Sequence, residues 1–312
     1  MQPSSDIGTD RLSPDVPLRN GELNIRGLAL RYNIWGDETK PPLILQHGMK
    51  DHARSWDRLI PTLAAQFCCI TPDLRGHGES DWSRGGGYEA LEFVADFVLL
   101  VRALRAGGIK APLLIIGHSL GGNIALRFAA LYPEEVERVV SVEALGLSAQ
   151  MYAAITARPA TDRWRRALDR RVSGLVDERR IYPSVEKALL PMRRVHPKLA
   201  DDHLRHLTHH GLRPVDGGFV WKYDPLLSFG GFRPEAPEDY AQIFAAVTCP
   251  AAIILGEGSP VSVDAHQRVS AFPNAQLSIY EGAGHWLHHE MPDRFLAEVL
   301  AFLTGAEGAA ER

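Results

Sequence analysis

The segment from Pro112 to Pro133, PLLIIGHSLGGNIALRFAALYP, constrains this chain most, because its hydrophobic periodicity changes at a single serine. Leu113 to Ile116 form an apolar run too short for a helix and fit a strand buried on both faces. From Asn123 onward Ile124, Ala125, Phe128, Ala129 and Leu131 recur at helical spacing, and Pro133 ends the pattern. Ser119 lies at the joint, inside Gly117-His118-Ser119-Leu120-Gly121. A serine in such a strand-turn-helix joint is held in a strained conformation that pushes its hydroxyl outward. Flanking glycines let strand and helix approach closely, and the helix N-terminus turns amides and a positive dipole toward whatever forms on the oxygen. Ser119 is therefore the candidate nucleophile, with the amide of Leu120 as one donor to an oxyanion.

At 312 residues with 45% hydrophobic content, the chain can bury one large α/β core with room for an insertion. A net charge of -4 gives no basic field, which argues against a nucleic-acid partner and for a small neutral or apolar molecule. The three cysteines, Cys68, Cys69 and Cys249, are odd in number and two are adjacent, so no disulfide framework is implied and a reducing, cytoplasmic setting is the simpler home. No apolar run is long enough for a membrane span, and no membrane partner is expected. Assembly into a homo-oligomer stays open.

Along the chain, residues 1–20 read as a flexible arm, and Glu22 to Trp35 as two strands joined near Arg26-Gly27. Pro42 to Gln46 is a buried strand ending in His47-Gly48-Met49-Lys50-Asp51, where Gly48 permits a sharp turn that could aim the Met49 amide at Ser119 as the second oxyanion donor. Cys68 to Pro72 is another strand; Asp73 to Ser80 is a glycine-paired structural loop in which His77 fixes the turn. Ala90 to Ala106 is a helix, and Arg138 to Val142 a strand with Glu143 at its carboxyl end, where open α/β sheets place ligand-facing residues. Core is expected over 21–143 and 249–304. Between them the sheet rhythm stops, and 144–248 reads as a helical cap carrying Tyr152, Trp164, Trp221, Phe229 and Phe232. The arginines between Arg163 and Arg171, interleaved with Asp162 and Asp169, read as a solvated cap face. Strands resume at Pro250 to Gly256 and Gln276 to Tyr280, a helix runs from about Arg294 to Leu303, and 305–312 is a tail.

A base is expected from Gly282-Ala283-Gly284-His285, since a histidine after a small-residue loop can swing toward the strand ends. His288 and His289 read as helix-start surface or packing groups. His203, His206 and His210 have metal-like spacing on one helix, but no H-E-x-x-H motif or cysteine partner accompanies them, so neither a metal nor a cofactor is implied.

The order of these motifs resembles the α/β-hydrolase fold family from Leu43 to the end, with one insertion. The resemblance implies a mostly parallel central sheet with flanking helices and an inserted helical cap. The H-G-x-x-D start at His47 to Asp51 and the Trp221-Lys222-Tyr223-Asp224-Pro225 stretch look like serine hydrolase-like proteins. In the family the acid usually follows the strand after the cap, in a Gly-Glu-x-Asp-Pro pattern; here that stretch reads Gly256-Glu257-Gly258-Ser259-Pro260, and serine cannot serve. Glu143 lies where haloalkane dehalogenases and related luciferases keep their acid, so the implied triad is Ser119, His285 and Glu143, with Glu257 and Asp264 as competitors. The expected activity is hydrolysis of a small to medium, largely apolar carboxylic ester. Two alternatives remain: C–C bond hydrolysis or lyase chemistry by the same residues, and a receptor-like protein that binds a ligand with little turnover. The expected pocket takes in His47, His118, Tyr152, Trp164, Trp221 and Trp286.

Overall fold

A computed structural model describes residues 15–84, 86–110, 112–176, 179–227 and 234–306. The expected tail beyond residue 306, the first fourteen residues of the expected arm, and Phe229 and Phe232 lie outside the described residues.

The chain opens with a hairpin of β1 (Leu18–Ile25) and β2 (Leu28–Trp35), closed by Arg26 and Gly27, both at positive φ. Leu18, Arg19 and Asn20, expected in a flexible arm, are instead laddered against Trp35, Ile34 and Asn33. β3 (Pro42–Gln46), a 3₁₀ turn over Ala53–Trp56, α1 (Ile60–Ala64), β4 (Cys68–Pro72) and α2 (Ala90–Ala106) follow, then β5 (Leu113–His118), α3 (Leu120–Leu131) and β6 (Val136–Val142). After the insertion come β9 (Ala251–Gly256), α9 (Ala265–Val269), β10 (Ala275–Tyr280), α10 (Leu287–Glu290) and α11 (Pro292–Thr304).

These strands form one eight-stranded sheet in the order β1-β2-β4-β3-β5-β6-β9-β10, parallel from β4 to β10 and antiparallel at the β1 and β2 edge. Successive side chains of a strand alternate between faces, so each buried run feeds two cores. Ile44, Ile115, Val139 and Ile253 meet α2, α3 and α9 on one face; Leu43, Leu45, Leu114, Ile116, Val140 and Ile254 meet α1 and α11 on the other. Phe97 and Phe128 anchor the first core edge-to-face, and Trp56, Phe295 and Phe302 the second. All three cysteines are buried and free.

The insertion between β6 and β9 carries α4 (Ala149–Thr156), α5 (Ala160–Val176), α6 (Val185–Val195), α7 (Asp201–Gly211), the hairpin β7 (Leu212–Val215) and β8 (Gly218–Trp221), and α8 (Pro237–Ala245). Two features depart from a purely helical cap over 144–248. The β7–β8 pair forms a separate small sheet. Helix α8 packs on α3, and Phe244 and Val247 join the first core, so the insertion's last helix completes the layer over the sheet. Among the described residues no helix is long and apolar enough to cross a membrane.

Candidate active site

Ser119 stands between β5 and α3 at φ 52°, ψ -113°, a conformation that an L-residue keeps only where its surroundings enforce it. Three close approaches do so. A Cβ on Gly117 would lie 2.4 Å from the Gly121 carbonyl oxygen, one on Gly121 would lie 2.3 Å from that of Gln46, and one on Gly122 would lie 2.5 Å from the Ala144 Cβ. The Ser119 amide donates to the Val142 carbonyl at 2.8 Å, tying the elbow to the strand that ends at Glu143. Gly48 is required for a similar reason: its Cβ would sit 2.9 Å from Nδ1 of His118 and 3.1 Å from the Cβ of Ser119. The loop carrying Met49 therefore lies directly against the elbow. Leu120 is the first residue of α3, so its amide has no partner within the helix.

Glu143 follows the last residue of β6 at φ 56° and is 1% exposed. Its amide bonds to the Ile254 carbonyl of β9 at 2.9 Å. Oε1 accepts the amide of Gly256, while Oε2 accepts the Ser259 hydroxyl and, at 2.9 Å, Nδ1–H of His285. A buried carboxylate with three donors is a fully satisfied anion, and it fixes the imidazole as the tautomer whose Nε2 is unprotonated. The competing acids lie elsewhere: Glu257 is exposed and accepts the Gly282 amide at 3.1 Å, and Asp264 is exposed at the start of α9 with φ 54°.

His285 is held by its backbone as well. His118 Nε2–H donates to the His285 carbonyl at 2.8 Å, and the Gly284 amide donates to Glu290 at 2.8 Å. Burial drives His118 well below the usual imidazole range, so it remains neutral and serves as a donor.

Ser119, His118 and His285 open onto a cavity of about 390 Å³, lined also by Met49, Met192, Val195, Leu207, Trp221 and Trp286. Of the residues expected in the pocket, His118, Trp221 and Trp286 line it; His47, Tyr152 and Trp164 do not. His47 is fully buried behind the wall, where Nδ1–H donates to the Gly48 carbonyl at 2.8 Å and Nε2 accepts the Leu74 amide at 3.0 Å. It braces the Met49 loop from inside. Tyr152 is half-buried on α4, and Trp164 is 51% exposed on α5, so that face of the insertion points away from the cavity.

Residues 41–292 match the model of the alpha/beta hydrolase fold. This chain belongs to the α/β-hydrolase fold family. A zebrafish serine hydrolase-like protein is 33% identical over 200 residues, which are 62% of this chain and 58% of that protein. The 2-(acetamidomethylene)succinate hydrolase of Mesorhizobium japonicum is 26% identical over 309 residues, covering 97% of this chain and 99% of its own. The crystal structure of E-2-(acetamidomethylene)succinate hydrolase superposes with a TM-score of 0.75 at 22% identity, over 92% of this chain and all of that one.

Within this α/β-hydrolase, several cavity residues were not expected there. Tyr182, Met192, His196 and Leu207 carry no signal in the sequence, Tyr223 stands only in the Trp221 to Pro225 stretch, and His289 reads as a surface or packing group; they reach the wall from the β7–β8 neighbourhood, α6, α7 and the end of α10, and only packing brings these segments together. His288 is buried too, with its ring 4.4 Å from that of His118. The lining also holds Asp51, whose Oδ1 accepts the His52 amide at 2.9 Å. Burial, helped by the nearby Asp73 carboxylate, raises the Asp51 carboxyl to about 7.

Proposed function

We propose that this protein is a serine hydrolase that cleaves a small to medium, largely apolar carboxylic ester through an acyl-enzyme on Ser119. The observation that carries the reading is the hydrogen bond from His285 Nδ1 to a buried, three-donor Glu143, with Ser119 and His285 opening onto one cavity. Nδ1–H on Glu143 leaves the Nε2 lone pair to take the Ser119 proton. The oxygen then attacks the acyl carbon, and the amides of Met49 and Leu120 receive the charge that develops on the carbonyl oxygen. His285 returns the proton to the departing alcohol, and a water activated by the same imidazole releases the acid. Met49, Met192, Val195, Leu207 and Trp221 suit an apolar acyl chain. Relatives named as hydrolases, among them an esterase of Mycobacterium tuberculosis 28% identical over 275 residues, support the reaction class.

Labelling with a fluorophosphonate tests this reading. Stoichiometric modification of Ser119, lost in Ser119→Ala, is expected; an unreactive Ser119 in the folded protein would point to a ligand-binding protein with little turnover.

A further inference from the structure

The histidines of α7 part company. His203 turns toward His289, their rings 4.8 Å apart, while His206 and His210, one helical turn apart, turn toward Asp57 just after the 3₁₀ turn. Asp57, His206 and His210 each bring a ligand atom within 4.8 Å of the others. Asp57 is fully buried and His206 is 2% exposed. Oδ2 of Asp57 accepts Nε–H of Arg54 at 2.6 Å and lies 3.3 Å from Nε2 of His206, which is itself 3.1 Å from the Arg54 carbonyl. Oδ1 of Asp57 is buried without a hydrogen-bond partner among the described residues. An orphaned carboxylate oxygen at full burial is costly, and a ligand that accepts its lone pairs would remove that cost.

We propose that Asp57, His206 and His210 form a site for a late first-row divalent cation such as Zn²⁺. Donors roughly 3.3 Å apart are what metal bonds of about 2.0–2.1 Å make at a tetrahedral angle; Oδ2 of Asp57 and Nε2 of His206 meet this, and a cation held bidentately by the carboxylate would also take up the orphaned Oδ1. Two imidazoles with one carboxylate favour Zn²⁺, Co²⁺ or Ni²⁺ over Mg²⁺ and Ca²⁺, which need more oxygen donors. Arg54 already offsets one charge of Asp57, which further disfavours a purely electrostatic ion and leaves nitrogen coordination as the main source of affinity. The Arg54 carbonyl is placed to supply an additional oxygen donor.

The site is a staple. Asp57 follows the loop that carries Met49, and α7 contributes Leu207 and Gly211 to the cavity wall. A bound cation would tie α7 of the insertion to the core segment beside the cavity. The inference stands on these residues alone and is independent of the reaction at Ser119.

The test uses the full chain, stripped with a chelator and titrated calorimetrically with ZnCl₂, and separately with CoCl₂ followed by visible absorption. One equivalent of Zn²⁺ is expected to bind, with Co²⁺ giving the intense ligand-field bands of a four-coordinate site. His210→Ala, at a half-buried position, and Asp57→Asn should each weaken binding by roughly 100-fold or more, as befits loss of a ligand. His196→Ala, which removes a cavity imidazole from outside the site, should bind as the parent does. The proposal is overturned if the parent takes up no stoichiometric Zn²⁺, if His210→Ala folds and binds unchanged, or if His196→Ala abolishes binding.

Discussion

Ser259 gives its hydroxyl hydrogen to Oε2 of Glu143, the oxygen that also holds Nδ1–H of His285. The residue standing where the Gly-Glu-x-Asp-Pro pattern has its acid thus bonds to a carboxylate supplied from the neighbouring strand. Under the proposed mechanism Glu143→Gln should lower kcat by roughly 10³- to 10⁴-fold, by analogy with the serine-protease acid. Ser259→Ala removes one hydrogen bond to a carboxylate, about 1.5–3 kcal/mol, and should lower kcat by at most about 10- to 150-fold. Adding Ser259→Asp to Glu143→Gln should recover part of the activity. Steady-state ester hydrolysis reads all three, and no gain in the double variant would count against the shared geometry.

Glu257→Gln and Asp264→Asn should keep most of the parent activity, because both side chains are exposed and neither bonds to His285. A collapse of kcat in either variant, with normal thermal unfolding, would reassign the acid.

Gly48→Ala probes the close packing of the Met49 loop on the elbow. Its methyl would need space now held by His118 Nδ1 at 2.9 Å and the Ser119 Cβ at 3.1 Å, so the Met49 amide must move. Loss of one oxyanion donor costs about 10²- to 10³-fold in kcat, and the effect should fall on kcat more than on KM. An unchanged kcat would remove Met49 from the oxyanion hole.

Trp221→Ala should raise KM for longer acyl chains and reshape chain-length preference, whereas Trp164→Ala should leave both parameters alone. A series of p-nitrophenyl esters of increasing chain length measures the difference. The reverse result would relocate the acyl pocket to the α5 side.

Stability should fall as the solution is acidified from about pH 6.5 toward 4. Burial lowers His47, His196 and His203 to about 4, and holds His52, His77, His118, His288 and His289 well below the usual imidazole range. In that window the unfolded chain binds protons that these eight folded-state imidazoles refuse, so unfolding becomes easier as pH drops. Asp51, raised to about 7, Asp73, raised to about 6, and Asp96, raised by burial, act in the opposite sense, since their folded forms hold protons that the unfolded chain releases. Eight groups against three leave the histidines dominant. Denaturant titrations across this range check it, and a flat or rising midpoint on acidification would contradict the burial assigned to these rings.

What could be read in the sequence was what rests on local pattern. The strand-to-helix change around Ser119, the 90–106 helix and the placing of Glu143 at a strand end follow from periodicity and chain order. Side-chain destinations across the insertion did not. The helical spacing around Trp164 announces a helix but not which side of it faces the cavity, and α8 reads as one more cap helix until Phe244 is found packed on α3's side of the sheet. His47 sits beside the loop of the site in sequence, yet two hydrogen bonds fix its ring in the interior. The histidines of α7 shared a face on a helical wheel, and only tertiary packing sent His203 one way and His206 and His210 another.

β5 and β6 are adjacent parallel strands, with His118 in register with Val142, so Ser119 and Glu143 follow on from one hydrogen-bonded ladder. His285 comes from the loop beyond β10, away from either strand end of that ladder. On the proposed assignment the third member is joined to that ladder by side-chain hydrogen bonds and not by strand pairing. Mild heat or denaturant should loosen those bonds before the ladder, so turnover should fail while the sheet is still intact, and cooling should restore it without refolding.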